Sequence, residues 1–87
     1  MDEYLKIEKH YRCSLEIYRD NDKTFWIDIA GHWSGCGITS DGDFKKAKDK
    51  AKNRLKTYIE RSDSTEDLKA FKWLLQELNK TEQLTLF

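Results

Sequence analysis

The sequence predicts an α+β fold, in which a small antiparallel sheet of three or four strands packs against two helices and a flexible C-terminal tail follows. Three observations predict it. Apolar and polar residues alternate through the first part of the chain, apolar residues recur at spacings of three and four after residue 43, and 87 residues leave room for one hydrophobic core. The sequence has no proline, internal repeat or low-complexity stretch to separate two domains. We therefore expect one compact domain over residues 1–79 and a tail over residues 80–87.

The first alternating segment has the period of two that is typical of β-strands. Between residues 5 and 17 most odd positions are apolar, namely Leu5, Ile7, Tyr11, Cys13, Leu15 and Ile17. Because successive side chains of a strand point to opposite faces, these residues should share one buried face. The pattern predicts either one half-buried strand or a pair of strands broken near Lys9 and His10.

A second alternating segment follows a polar turn at residues 20–23. Its apolar residues include Ile27 and Ile29, and Trp26 beside them should lie on the less buried face of the resulting β-hairpin. Glycines at positions 31, 35 and 37 then indicate a loop, with a short further strand over residues 36–39.

After residue 43 the apolar residues take the spacing of amphipathic helices, and Ser40 or an aspartate after it should cap the first helix. The apolar stripe of that helix comprises Phe44, Ala47, Ala51, Leu55, Tyr58 and Ile59. A second helix should start after residues 62–64 and end near Asn79. Its stripe comprises Leu68, Phe71, Leu74, Leu75 and Leu78. The residues expected to be buried together are Leu15, Ile27, Ile29, Ala51, Leu55, Phe71 and Leu75.

Composition argues against a membrane protein or a secreted one. Charged residues make up 37% of the chain, hydrophobic ones 38% and aromatic ones 13%, which is typical of a soluble folded protein. The N-terminal residues 1–3 begin neither an apolar span nor a signal peptide, so we expect a cytoplasmic protein with no membrane partner. In that compartment Cys13 and Cys36 should be packed, reduced thiols.

Catalytic and metal-binding patterns are weak. His10 and Cys13, like His32 and Cys36, have spacings that zinc sites use, but the parity of a single strand would put His10 and Cys13 on opposite faces. A nucleophile such as Cys36 needs a shaped pocket and an oxyanion site, and no signature indicates either one. We therefore expect a non-enzymatic protein that holds no metal and no cofactor.

The net charge of zero conceals a basic segment. Residues 44–61 hold eight of the 16 lysines and arginines against two acidic residues, whereas residues 1–43 hold five basic and nine acidic residues. Such a local field attracts phosphate or an acidic protein surface, although a solvated outer face is the alternative interpretation. The candidate nucleic-acid-binding residues are Lys45, Lys46, Lys48, Lys52 and Lys56. Aromatic residues that could stack on bases, or else form the core, are Tyr18, Trp26, Trp33 and Tyr58.

The sharpest motif is Gln83-Leu84-Thr85-Leu86-Phe87. It resembles the Gln-Leu-x-Leu-Phe peptide by which bacterial polymerases and repair proteins dock on the ring-shaped sliding clamp of DNA polymerase III. The resemblance implies that Gln83 makes fixed hydrogen bonds, that Leu84 enters a sub-pocket, and that Leu86 and Phe87 fill a hydrophobic cleft. A short segment with a few apolar anchors and one polar group suits a preformed groove. The alternative is one more strand along an edge of the sheet.

The folded part carries two further resemblances. With its Gly35-Cys36-Gly37-Ile38-Thr39 turn, its Asp41-Gly42-Asp43 link and the amphipathic helix that follows, the stretch over residues 11–61 resembles the N-terminal domain of HicB-type antitoxins. The resemblance implies a domain that masks a small partner protein. Residues 37–55 also look like the end of a double-stranded RNA-binding domain, where a lysine-rich helix start follows a three-stranded sheet.

The favoured hypothesis is a bacterial or phage protein that binds the sliding clamp through Gln83, Leu84, Leu86 and Phe87 and modulates DNA replication or repair, either as a recruiter or as an inhibitor. Its folded domain would contact DNA or RNA through the basic helix. The alternatives are a HicB-like partner-masking domain and a nucleic-acid-binding module of the double-stranded RNA type.

Overall fold

A computed structural model describes residues 3–10, 12–31 and 37–81, and it confirms the predicted α+β class. Four strands and two helices follow one another in the order β1 (Glu3–His10), β2 (Cys13–Arg19), β3 (Phe25–Ala30), β4 (Gly37–Asp41), α1 (Phe44–Arg61) and α2 (Thr65–Lys80). The strands form one antiparallel sheet in that spatial order, so β1 and β4 are its edges. Both helices contribute to a single core against one face of this sheet, and we call the opposite face the open face.

The alternation of β2 and β3 supplies the sheet side of the core, as predicted. Leu15 lies opposite Ile29 and Ile17 lies opposite Ile27, and all four side chains are fully buried. The polar turn between these strands is held by Asp20, whose Oδ1 accepts hydrogen bonds from the backbone N–H groups of Asp22 at 2.9 Å and Thr24 at 3.0 Å. This side-chain bonding pattern explains why aspartate favours the turn.

Strand β1 departs from the predicted alternation. The pairing register between β1 and β2 shifts between Tyr4 and Lys6, so Leu5 is an extra residue in β1, as in a β-bulge. After the shift Ile7 lies opposite Glu16 on the open face and is 50% exposed, so the prediction that it shares a buried face with Leu5 was wrong. A one-residue shift reverses the face of every residue that follows it.

The first alternating segment is a pair of strands, one of the two predicted alternatives, and the break directly follows His10, where β1 ends, as predicted. His10 and Cys13 pair directly across the break, and Arg12 adopts a φ of 63°. A left-handed backbone suits a tight two-residue hairpin connection, because it matches the twist of the strands that it joins.

The helices begin at side-chain caps. Asp43 caps α1 by accepting from the backbone N–H of Lys45 at 2.8 Å, and Ser64 caps α2 by accepting from Asp67 at 3.3 Å. Helix α2 runs to Lys80, one residue beyond the predicted end. The buried residues of the helices are Phe44, Ala47, Ala51, Leu55, Ala70, Phe71, Leu74 and Leu78.

The predicted core is therefore right at six of its seven positions. Leu75 is the exception, because it is half-buried and packs against the margin of the core, whereas its neighbour Leu74 is fully buried. Neighbouring residues of a helix lie 100° apart, so the orientation of α2 against the sheet decides which of two adjacent leucines points inward.

Gly37 lies where α1 crosses the edge of the sheet. A Cβ atom built on it would lie 2.6 Å from Cγ1 of Ile29 and 3.2 Å from Cδ of Arg54. We expect Gly37→Ala to destabilise the fold by about 1 to 3 kcal/mol, because Ile29 would have to leave its packed position. Thermal melting measures the effect, with Gly42→Ala as the control, since nothing lies within 4 Å of a Cβ there. Equal melting temperatures for both variants would contradict this packing.

Candidate functional site

The described chain ends at a firmly held residue. Thr81 is the C-cap of α2 and only 1% exposed, and its backbone N–H donates to the carbonyl groups of Glu77 and Leu78, both at 3.1 Å. Its hydroxyl donates to the Glu77 carbonyl at 2.8 Å. The C-terminal end of α2 is therefore held firmly at Thr81 rather than frayed.

Two lysines from other elements complete this anchor. Lys48 of α1 donates from Nζ to the Thr81 carbonyl at 2.8 Å, and Lys6 of β1 donates from Nζ to the Thr81 hydroxyl at 2.8 Å. Lys6 also lies 3.5 Å from a carboxylate oxygen of Glu77. A cation is stabilised near the C-terminus of a helix because the last carbonyl groups carry partial negative charge. Thr81 thus joins β1, α1 and α2.

Lys48 consequently has a role that the sequence did not indicate. It was predicted to contact nucleic acid, and that contact stays a prediction, but making it would require Lys48 to give up its hydrogen bond to Thr81. The side chain is half-buried, whereas Lys45, Lys46 and Lys56 are exposed. A lysine whose ammonium group is already hydrogen-bonded within the fold contributes less free charge to a binding surface.

The remaining candidate lysines divide into two stripes along α1. Lys45, Lys52 and Lys56 lie three, four and eight residues from Lys48, and so lie on the side of α1 from which Lys48 reaches Thr81 at the end of α2. We call these three residues the α2-side stripe. Lys46 lies on the other side of the helix, four residues before Lys50. The five predicted lysines therefore do not form one surface.

Lys50 marks the second side of α1. Its Nζ donates to the Ser40 carbonyl at 2.9 Å and lies 3.1 Å from a carboxylate oxygen of Asp41, which joins α1 to the edge strand β4. The pKa of Asp41 is lowered, first by the hydrogen bond that its carboxylate accepts from the Asp43 backbone N–H and then by Lys50. Part of the positive charge on this side is therefore neutralised within the fold.

The α2-side stripe yields a direct test of nucleic-acid binding. If α1 contacts DNA, the triple variant Lys45→Glu, Lys52→Glu and Lys56→Glu should abolish binding, and the parent's salt slope should include about three counterions from these lysines. Fluorescence anisotropy with duplex DNA over a range of salt concentrations measures both quantities.

The matched control for that experiment is Lys69→Glu with Lys72→Glu, which changes two exposed lysines of α2 and leaves the Lys48 anchor intact. We expect this control to bind as the parent does. If the triple variant of the α2-side stripe binds DNA with the affinity and salt slope of the parent, then the basic face of α1 is a solvated surface and not a binding site.

The clamp-like peptide itself, with Gln83, Leu84, Leu86 and Phe87, lies outside the described residues. Its position in the chain is nevertheless defined, because only residue 82 separates it from the Thr81 anchor. No protein-family model, curated protein or solved structure matches this chain.

The described residues show neither a metal-binding cluster nor a membrane-spanning helix. Between residues 3 and 81, apart from the gaps at 11 and 32–36, no group of three or more His, Cys, Asp or Glu side chains could hold a metal ion. Within the same ranges, no helix combines the length and apolar character that crossing a membrane requires.

His10 and Cys13 lie closer together than predicted, because they belong to two strands and pair directly across the hairpin, which puts both on the helix side of the sheet. The His10 ring contacts the Trp73 ring edge-on at 5.4 Å, and the Cys13 Sγ donates to the His10 carbonyl at 2.8 Å. Cys13 is buried as predicted, and burial raises the pKa of its thiol to about 11. Such a thiol is protonated at neutral pH and therefore a poor nucleophile.

The aromatic residues that were predicted to stack on bases lie in different parts of the structure. Tyr58 packs against the core, with its ring 5.3 Å from that of Phe71. Trp26 lies on the open face, as predicted, and its ring is stacked parallel to that of Tyr18 at 6.2 Å. Trp33 lies outside the described residues, as do His32 and Cys36.

Proposed function

We propose that this protein is a non-enzymatic, cytoplasmic binding protein of a bacterium or a phage that docks on the sliding clamp of DNA polymerase III through residues 83–87 and thereby modulates DNA replication or repair. In this proposal the glutamine amide of Gln83 fixes the register of the peptide. Leu84 enters a sub-pocket, and Leu86 and Phe87 supply most of the apolar burial in the clamp cleft.

The observation that carries the proposal is the anchor at Thr81. Five hydrogen bonds to β1, α1 and α2 hold this residue, and the peptide begins two residues later. Two extended residues span at most roughly 7 Å. A clamp that grips Gln83 would therefore hold the whole domain against its surface, and little chain entropy would be lost in bringing the domain there.

Because so few residues join Thr81 to the peptide, the basic helix α1 would also lie near the docked clamp. Lys48 binds the Thr81 carbonyl, and Lys45 and Lys52 lie one helical turn away on either side of it. Docking the peptide would therefore bring the α2-side stripe close to the clamp and to the DNA that passes through the ring. Positive charge at that point favours contact with the phosphate backbone.

A pull-down tests the proposal most simply. The tagged whole chain is incubated with bacterial extract, in parallel with a variant that lacks residues 83–87 and with the matched control Thr85→Ser, which changes the tolerant position of the motif. We expect the clamp to bind to the parent and to Thr85→Ser and to be lost with the truncation. A clamp that binds all three chains, or none of them, contradicts the proposal.

A further inference from the structure

The open face of the sheet carries the most exposed apolar side chains that the structure describes. Tyr4 is 54% exposed, Ile7 is 50% exposed and Ile38 is 41% exposed, and all three lie on this face rather than over the core. Three large apolar side chains that share one face of the sheet, away from the core, favour an interaction surface there.

Cross-strand pairing arranges this face in two adjacent rows. The aromatic row runs from Tyr4 through Tyr18 to Trp26, with ring centroids 5.1 Å and then 6.2 Å apart. The Trp26 indole N–H donates to Oδ2 of Asp20 at 2.8 Å, which fixes the orientation of its ring. This row therefore presents π faces in a fixed orientation.

The second row places two carboxylates between two isoleucines. Ile7 lies opposite Glu16, Glu16 lies opposite Asp28, and Asp28 lies opposite Ile38. Each carboxylate is two residues along its strand from an aromatic residue of the first row, a separation of about 7 Å. Rings and carboxylates are thus neighbours on one surface.

The pair of carboxylates is not balanced within the fold. Like charges directly opposite each other on a sheet destabilise it. Oδ1 of Asp28 is buried and has no hydrogen-bond partner. Burial, and then the charge of Glu16, raise the pKa of Asp28. Lys9 lies on the same face opposite Ser14, diagonal to Glu16, and within the part of the chain that the structure describes it forms no ion pair with either carboxylate. A cation bound on this face would relieve the repulsion between the two carboxylates.

We propose that the open face binds a basic segment of a partner protein and that an arginine of this segment contacts Glu16, Asp28 and the Trp26 ring. A guanidinium group combines what this surface needs, because it donates several hydrogen bonds in one plane to carboxylates and stacks on aromatic faces. The apolar part of the segment would cover Ile7 and Ile38. Nucleic acid is excluded as the occupant, since the two carboxylates repel phosphate.

This surface is separate from the peptide over residues 83–87, and the proposal does not depend on clamp binding. The probe is a peptide of alternating arginine and valine residues, titrated into the whole 15N-labelled protein while the indole N–H signal of Trp26 is followed by NMR. Trp26→Phe assigns that signal. The matched peptide has citrulline in place of arginine and so keeps the shape without the charge.

We expect the arginine peptide to shift the Trp26 signal in a saturable way and the citrulline peptide to leave it unchanged. The double variant Glu16→Gln and Asp28→Asn should bind at least tenfold more weakly while melting at the same temperature as the parent or higher, because the amides remove the repulsion. Glu60→Gln, which changes an exposed carboxylate of α1, should bind as the parent does.

Three outcomes would overturn the proposal. The first is equal binding of the two peptides, and the second is equal binding by the parent and the double variant. The third is self-association through this face, seen as a dimer in sedimentation equilibrium that Ile38→Asp dissociates, since the occupant would then be a second copy of the chain.

Discussion

Replacing both Leu86 and Phe87 by alanine is expected to weaken binding to a bacterial sliding clamp by more than a hundredfold. These two side chains should supply most of the apolar area that the peptide buries in the clamp cleft, so their loss should cost about 3 kcal/mol or more. Gln83→Ala should cost about tenfold or more, because it removes the polar contacts that fix the register. Isothermal titration calorimetry of the three chains against the clamp measures these affinities.

The thermal stability of the same variants separates clamp binding from the alternative of an extra edge strand. Thr81, the last described residue, is buried and hydrogen-bonded to β1, α1 and α2, whereas clamp docking requires residues 83–87 to be free of the fold. The double variant should therefore melt within about one or two degrees of the parent. If residues 83–87 instead form an edge strand, the opposite result is expected. The double variant would then lose thermal stability, and parent and variant would not differ in their affinity for the clamp.

Leu55→Ala should destabilise the domain by about 2 to 5 kcal/mol. Leu55 is fully buried in the core that joins α1 to the sheet, so truncation would leave a cavity there. Urea denaturation monitored by circular dichroism measures the change. Leu75→Ala is the matched control, since the same atoms are removed from a half-buried position, and it should cost clearly less. Equal losses for both variants, or a negligible loss for Leu55→Ala, would contradict the assigned core.

The sequence was informative about the fold wherever one periodicity ran without interruption. The alternation around Ile27 and Ile29 predicted the buried face of β3, and the spacing of Ala51 and Leu55 predicted the buried face of α1. The prediction failed at Ile7, because one extra residue in β1 reverses the faces that follow it and leaves no trace in composition.

The candidate surfaces were less predictable, because they depend on which elements meet. A lysine-rich helix was evident from the sequence, but the engagement of Lys48 by Thr81 depends on where α2 ends against α1. The pairing of Glu16 with Asp28 likewise follows from strand register and from which face the helices cover. The even-numbered positions of β2 and β3 carried the available signal. Carboxylates and aromatic residues occupy these positions, whereas the odd-numbered positions face the core.

Displacement of a bound peptide tests the central claim most directly. A fluorescent peptide that carries residues 80–87 is bound to a bacterial sliding clamp, and its anisotropy is followed as the unlabelled whole protein is added. Clamp docking through Gln83, Leu84, Leu86 and Phe87 predicts that the labelled peptide binds, that the parent displaces it completely, and that the variant with alanine at positions 86 and 87 does not. A labelled peptide that stays free in solution, or equal displacement by parent and variant, would contradict the claim.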